Sequence, residues 1–358
     1  MASARPSNAM RNSLPPSAPM SSRTRSLSLH IERWPLAAPF HITGHVIDAA
    51  RLVSVTVDDG HHAGSGEASG VFYLGETPES IATQIERVRA AIEAGITRAQ
   101  LLDVLPSGGA RNAVDAALWA LESQQQAMPA WRMAGLCAPR PLPTTMTIGV
   151  DTPAAMAGAA LRLRHARALK VKLDGSAADA ARLAAIREVR PDVPLAVDAN
   201  QGWSRAHFDA MIPVLRQLDV RMLEQPFAIG ADACLEHLDC PIPLAADESF
   251  QDLGDLPAVA RRYDIVNLKL DKCGGLTRAL DLAARVRAAG LSVMVGCMAG
   301  TSLAVAPAFL LGQLCDHVDL DGPIFLARDR EPGVTYIDGL LHCPPQVWDY
   351  PDVTASSR

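Results

Sequence analysis

Short apolar, β-branched runs recur along the second half of this chain at a period of about 25 residues: TTMTIGV, ALKVKLD, PLAVDAN, RMLEQP, PLAADES, DIVNLKLD, LSVMVGC and HVDLDG. Stretches rich in Ala, Arg and Leu with helical spacing lie between them. Lys172 and Asp198 are 26 residues apart, followed by 26 to Glu224, 23 to Asp247 and 22 to Lys269. A strand–helix repeat of that length, sustained over eight strands, predicts a parallel barrel rather than an open sheet. No helix of the same kind follows the last run, so the expected architecture over 144–330 is a (β/α)7β TIM-like barrel. Chemistry in such barrels sits where the strands end, on the carboxyl face.

The segment before the repeat has a different texture. SLSLHIERWPL and RLVSVTVDDG alternate like strands, and GSGEASGVFYLGET reads as a glycine-rich loop. Thr77-Pro78 then opens a helix, with a capping hydroxyl followed by proline at the first helical position, and ARNAVDAALWALESQQQ forms a second helix to about residue 126. Residues 28–143 are therefore expected to form an α+β capping domain. The tail 331–358, with YIDGLLHCPPQVWDY, is expected to return to that domain and complete it. Residues 1–27 read as a disordered leader: the first 29 residues hold four arginines, eight serines, four prolines and no acid.

Composition narrows the partners. The chain is 49% hydrophobic and 20% charged, as in a globular domain, and its net charge of −6 argues against nucleic acid or an acidic membrane. No run approaches the roughly 18 apolar residues of a membrane span. Seven scattered cysteines without a CxxC pair favour free thiols in a reducing cytoplasm over a zinc site or a disulfide framework. GxGxxG, Walker, GxSxG and HExxH patterns are absent. Homo-oligomerisation is left open.

The ionisable residues that interrupt the barrel runs all fall at one end. Asp198, Glu224 and Asp247 close three successive strands, and neighbouring strands lie about 4.8 Å apart, so the three carboxylates converge. An all-oxygen set of this kind suits Mg²⁺, or Mn²⁺, better than zinc. Lys170 and Lys172 precede the acids on one strand, and Lys269 follows them on a strand across the barrel. One amine on each face of a metal-held carboxylate suggests α-proton removal by one lysine and return by the other. Lys170 and Lys172 are two residues apart, about 6.6 Å. At an effective dielectric of 20 their repulsion is about 2.5 kcal/mol, roughly two pKa units, so Lys170 is expected to tune Lys172 downward.

The order KxK, DAN, LEQP, ADES and NLKLDKxGG, with WPLAAPF, GSGEAS and LPSGGARNAVDAALWAL upstream, resembles the muconate-lactonising-enzyme subgroup of the enolase superfamily. That resemblance implies a capping domain over a (β/α)7β barrel, Lys172 and Lys269 as the acid/base pair, and Asp198, Glu224 and Asp247 as Mg²⁺ ligands. Asp319 and Asp321 in HVDLDGP resemble the DxD that holds the substrate ammonium in dipeptide epimerases. GCMAGTS, with Met298, is similar to the strand-seven loop of L-Ala-D/L-Glu epimerases. Those enzymes carry an arginine in the loop after PF for the substrate's glutamate side chain, and the matching position here is Ile47. The implied activity is 1,1-proton transfer at the C-terminal α-carbon of a dipeptide through an enediolate, with a neutral or hydrophobic second residue. Cycloisomerase, o-succinylbenzoate synthase and N-acylamino-acid racemase activities are alternatives within the subgroup.

Overall fold

The structure, a computed structural model, describes residues 25–236 and 238–348. Of the expected leader, residues 1–24 lie outside that range, and Ser26 and Leu27 already belong to the first strand. Three antiparallel strands, β1 (Ser26–Ile42), β2 (His45–Asp58) and β3 (Ala63–Ala68), form a sheet. It packs on α1 (Pro78–Glu93), α2 (Arg98–Val104) and α3 (Gly109–Gln126). Thr77 caps α1 through a reciprocal pair with Ser80, and proline stands at the start of the helix. Val53, Val55 and Val57 of β2 meet Ile81, Ile85, Val114, Leu118 and Leu121 in a core separate from that of the barrel.

β3 corrects the expectation of a glycine loop. A Cβ on Gly64 would lie 2.2 Å from the Ala117 carbonyl oxygen, and one on Gly66 would lie 2.1 Å from that of Ala113. The glycines let α3 lie directly on the strand, and their lack of side chains also erases the alternation that marks a strand in sequence.

After β4 (Leu142–Pro143), eight parallel strands follow in chain order. They are β5 (Met146–Ile148), β6 (Leu169–Lys172), β7 (Leu195–Asp198), β8 (Val220–Glu224), β9 (Leu244–Ala246), β10 (Ile265–Lys269), β11 (Ser292–Gly296) and β12 (His317–Asp319). The amide of Thr145 donates to the Val318 carbonyl at 2.9 Å, joining the last strand to the first. The helical connections are less regular than the repeat suggested. A 3-10 turn (Asp232–Leu235) follows β8, and the one-turn helix Leu256–Val259 follows β9. Gly230, Pro241 and Pro243 crowd the first of these connections, and neither residue type favours a helix interior.

A final hairpin, β13 (Thr335–Ile337) and β14 (Leu340–His342), pairs with β4. Beyond it Trp348 donates to the Ser65 carbonyl of β3 at 3.2 Å, so the tail touches the capping sheet, while residues 349–358 lie outside the described range. Buried polar contacts seat the capping domain on the barrel. Asp115 of α3 accepts from the Thr277 amide and hydroxyl, at 3.0 and 2.5 Å. Asp271 accepts from the amides of Ser69 and Gly70, both at 2.9 Å.

Candidate active site

Strand register decides which side chains meet. Lys172 lies opposite Asp198, Asp198 opposite Glu224, and on the far side Lys269 lies opposite Gly296 and Gly296 opposite Asp319. These residues form one layer at the carboxyl end of the barrel. Two residues lower, period-two alternation returns Lys170, Ala196, Met222, Ala245, Asn267 and Met294 to the interior, and Ala196, Met222, Ala245 and Met294 form its apolar floor. Gly296 supplies space: a Cβ there would lie 2.7 Å from the Asn267 side chain and 3.1 Å from Lys269 Cε.

Ligand oxygens of Asp198, Glu224 and Asp247 lie within 4.8 Å of one another, and all three residues are buried. Lys172 Nζ donates to Asp198 Oδ2 at 2.5 Å, and Lys269 Nζ donates to Asp247 Oδ2 at 2.6 Å. The two lysines thus flank the acid trio from its two ends. Glu224, between them, accepts from Asn267 Nδ2 at 2.7 Å. Burial, then the charge of Asp198, pushes the Glu224 carboxyl up to about 7. Asp198 and Asp247 are held below the usual range: burial opposes this, but the adjacent lysines outweigh it.

Lys170 departs from its expected part as an uncompensated neighbour of Lys172. Its ammonium contacts Asp319 and lies 3.4 Å from Glu224 and 3.7 Å from Asp198. Burial alone would lower its pKa, but these carboxylates raise it well above the usual value. The three acids around Lys170 offset the repulsion between the two lysines.

Asp319 and Asp321 both face the cavity. Asp319 already has Lys170 as a partner on one oxygen, while its Oδ1 is buried without one. Asp321 accepts from the Thr147 amide at 2.6 Å, and burial, then Asp319, raises it to about 7. Ile47 and Met298 also line this cavity. Arg51 pairs with Glu79 at 2.5 Å, and among the described residues no arginine lines the cavity.

Sequence spacing missed several residues here. Lys272, one helical turn after Lys269, donates to Asp247 Oδ1 at 2.7 Å and the Asn267 carbonyl at 2.9 Å. Asn200, in the DAN stretch, bridges Asp198 and Glu248, both at 3.3 Å. Tyr73 and Phe72 reach the cavity from the capping domain and carry no spacing signal.

The donor set fits a divalent cation. Six buried carboxylates (Asp198, Glu224, Asp247, Glu248, Asp319 and Asp321) face four buried ammonium groups (Lys170, Lys172, Lys269 and Lys272). This formal deficit of two charges matches one such ion. The raised values of Glu224, Glu248 (about 8) and Asp321 follow first from burial and then from the neighbouring acids. Oxygen-only coordination suits Mg²⁺.

Fold and acid cluster together place the chain in the class of capped (β/α)7β barrel enzymes. Within it, the chain belongs to the mandelate racemase/muconate lactonizing enzyme family of the enolase superfamily. Residues 24–135 match that family's N-terminal domain, and 153–346 match the enolase C-terminal domain-like family. The chain is 41% identical to the L-Ala-D/L-Glu epimerase of Escherichia coli K12, over 89% of this chain and 99% of that one. It is 40% identical to an N-acetyl-D-glutamate racemase of Pseudoalteromonas, over 74% and 84%. A hydrophobic dipeptide epimerase of Roseobacter litoralis is 34% identical over 84% and 91%. All three relatives are isomerases.

Among solved structures, an enolase family member from Agrobacterium tumefaciens, with bound sodium and L-Ala-L-Glu, superposes with a TM-score of 0.88 at 38% identity. The match covers 90% of this chain and 99% of that one. The dipeptide epimerase of Methylococcus capsulatus, complexed with Mg and L-Arg-D-Lys, gives 0.83 at 30% identity over 90% and 97%. Among the described residues no helix is long and apolar enough to cross a membrane.

Proposed function

We propose that the chain is a Mg²⁺-dependent dipeptide epimerase that inverts the α-carbon of the C-terminal residue, with a neutral or hydrophobic side chain at that residue. The observation that carries the reading is the placement of Lys172 and Lys269 at opposite ends of the acid trio, on Asp198 and Asp247 respectively. A substrate carboxylate directed at the trio has one amine on each side of its α-carbon. One lysine takes the α-proton and the other delivers a proton to the opposite face, so the centre inverts. When bound to Asp198, Glu224 and Asp247, the cation supplies electrostatic stabilisation of the enediolate. Asn267 and Lys272 hold Glu224 and Asp247 in position.

Asp319 and Asp321 offer two buried carboxylates to the dipeptide's ammonium. This arrangement favours a free amine over the acylated amine of an N-acyl amino acid, and so argues against the racemase alternative. The remaining wall, with Leu36, Phe40, Ile42, Ile47, Phe72 and Phe325, is apolar. A glutamate side chain there would lie without a cationic partner, whereas an aliphatic or aromatic one would bury its surface. Free thiols at all seven cysteines suit a reducing, cytoplasmic setting.

Incubation with a panel of L,L-dipeptides in D₂O tests the reading. α-Deuterium should enter the C-terminal residue, fastest for hydrophobic ones such as L-Ala-L-Leu. Absence of exchange with every dipeptide, alongside turnover of N-acetyl amino acids or a succinylbenzoate precursor, would replace it.

A further inference from the structure

Tyr73 lies in the 3-10 turn Phe72–Leu74, between β3 and α1. Among the described residues of the capping domain, Leu36, Phe40, Ile42, Ile47 and Phe72 give the cavity an apolar wall, and Tyr73 brings its one polar side chain. Its hydroxyl accepts from Gln251 Nε2 at 3.3 Å, and the same nitrogen donates to the Glu248 carbonyl at 2.8 Å. Gln251 belongs to the loop leaving Asp247, so the phenol is tied to that corner of the barrel mouth. The charges of Asp247 and Lys269 both act on it there. A hydroxyl whose lone pair takes the Gln251 proton keeps its own proton for another acceptor. Burial, then the charge of Asp247, also keeps the phenol protonated, and therefore a donor, across the neutral range.

We propose that Tyr73 donates a hydrogen bond to the substrate carboxylate on the Lys269 side of the cavity, and that this bond strengthens as the carboxylate becomes an enediolate. The α-proton moves between carbon and lysine, and the phenol keeps its proton throughout. A neutral donor aimed where charge develops lowers the barrier more than it tightens ground-state binding. The inference rests on the epimerase reading and extends it: the apolar domain also contributes one group to the chemistry.

Tyr73→Phe tests it, because the substitution keeps the ring and its edge-on contact with Phe72 at 5.4 Å. With L-Ala-L-Leu, kcat should fall roughly 10- to 100-fold, somewhat less than for a primary oxyanion donor. KM should rise far less than kcat falls, melting temperature and calorimetric Mg²⁺ affinity should be unchanged, and the α-deuterium isotope effect on kcat should be at least as large as in the parent. A loss confined to KM, an unchanged kcat, a smaller isotope effect, or a fall in Mg²⁺ affinity that accounts for the lost rate would overturn the assignment. Should Tyr73→Phe fail to fold, Gln251→Leu carries the same test: a lower kcat at constant KM supports the role and an unchanged kcat removes it. Parent enzyme inactive on every dipeptide would instead remove the epimerase reading itself.

Discussion

On the barrel side of the cavity stand Lys170, Lys172, Asp247, Lys269, Asp319 and Asp321, all buried and all hydrogen-bonded or ion-paired. On the capping side stand Leu36, Phe40, Ile42, Ile47 and Phe72, with Tyr73 the sole polar side chain among the described residues. The barrel groups hold one another in place across strands of a single sheet. Removing one of the paired groups leaves its partner's charge buried with fewer counter-charges, which is costly. Under the proposed function the capping groups would meet the substrate mainly through shape and apolar area, so exchanging them should cost less than altering the barrel groups. On the same reading, proton transfer belongs to the barrel and choice of second residue to the capping domain.

Lys269→Ala probes the barrel wall most severely. Loss of one acid/base group should lower kcat about 10³- to 10⁴-fold, read from epimerisation of L-Ala-L-Leu. An effect under tenfold would break the assignment of chemistry to this wall. Asp321→Asn is milder, because the amide oxygen still accepts from Thr147 while the charge for the substrate ammonium is lost. KM should rise roughly 10- to 100-fold, as expected for one charge-assisted hydrogen bond, with kcat affected less. pH sharpens the same point. Asp321 is raised to about 7, chiefly by burial and then by Asp319. Below that pH it is increasingly protonated and loses the charge proposed to attract the ammonium. KM in the parent should therefore climb as pH falls through 7, and Asp321→Asn should flatten that acid limb.

Ile47→Arg tests the other wall with the smallest effect on rate. Hydrophobic dipeptides should lose and L-Ala-L-Glu should gain roughly two- to fivefold in kcat/KM, about what one partly exposed ion pair supplies. The ratio of kcat/KM for the two substrates measures it, and a matched fall for both would show that residue 47 does not sort them.

The chemical layer was legible because period-two alternation and a steady strand spacing fix which residues share a level of the barrel. Asp198, Glu224 and Asp247 could be brought together from spacing alone, and their oxygens do meet. Pairing across the barrel was not legible. Lys170 and Asp319 are 149 residues apart, and only barrel closure reveals that Lys170 is shared among acids. β3 was hidden because the glycines that admit α3 also remove the alternating side chains. Tyr73, Lys272 and Glu248 follow no strand period: Tyr73 and Glu248 are placed by turns, and Lys272 by the one-turn helix that follows Lys269.

Separating the two lysines tests the account most directly. Lys172→Ala and Lys269→Ala enzymes should each be incubated in D₂O with L-Ala-L-Leu and, separately, with L-Ala-D-Leu. With a base on each face of the α-carbon, each variant should wash the α-proton out of one epimer only, opposite epimers for the two variants, without inversion. Exchange of both epimers by one variant, or of the same epimer by both, would contradict it.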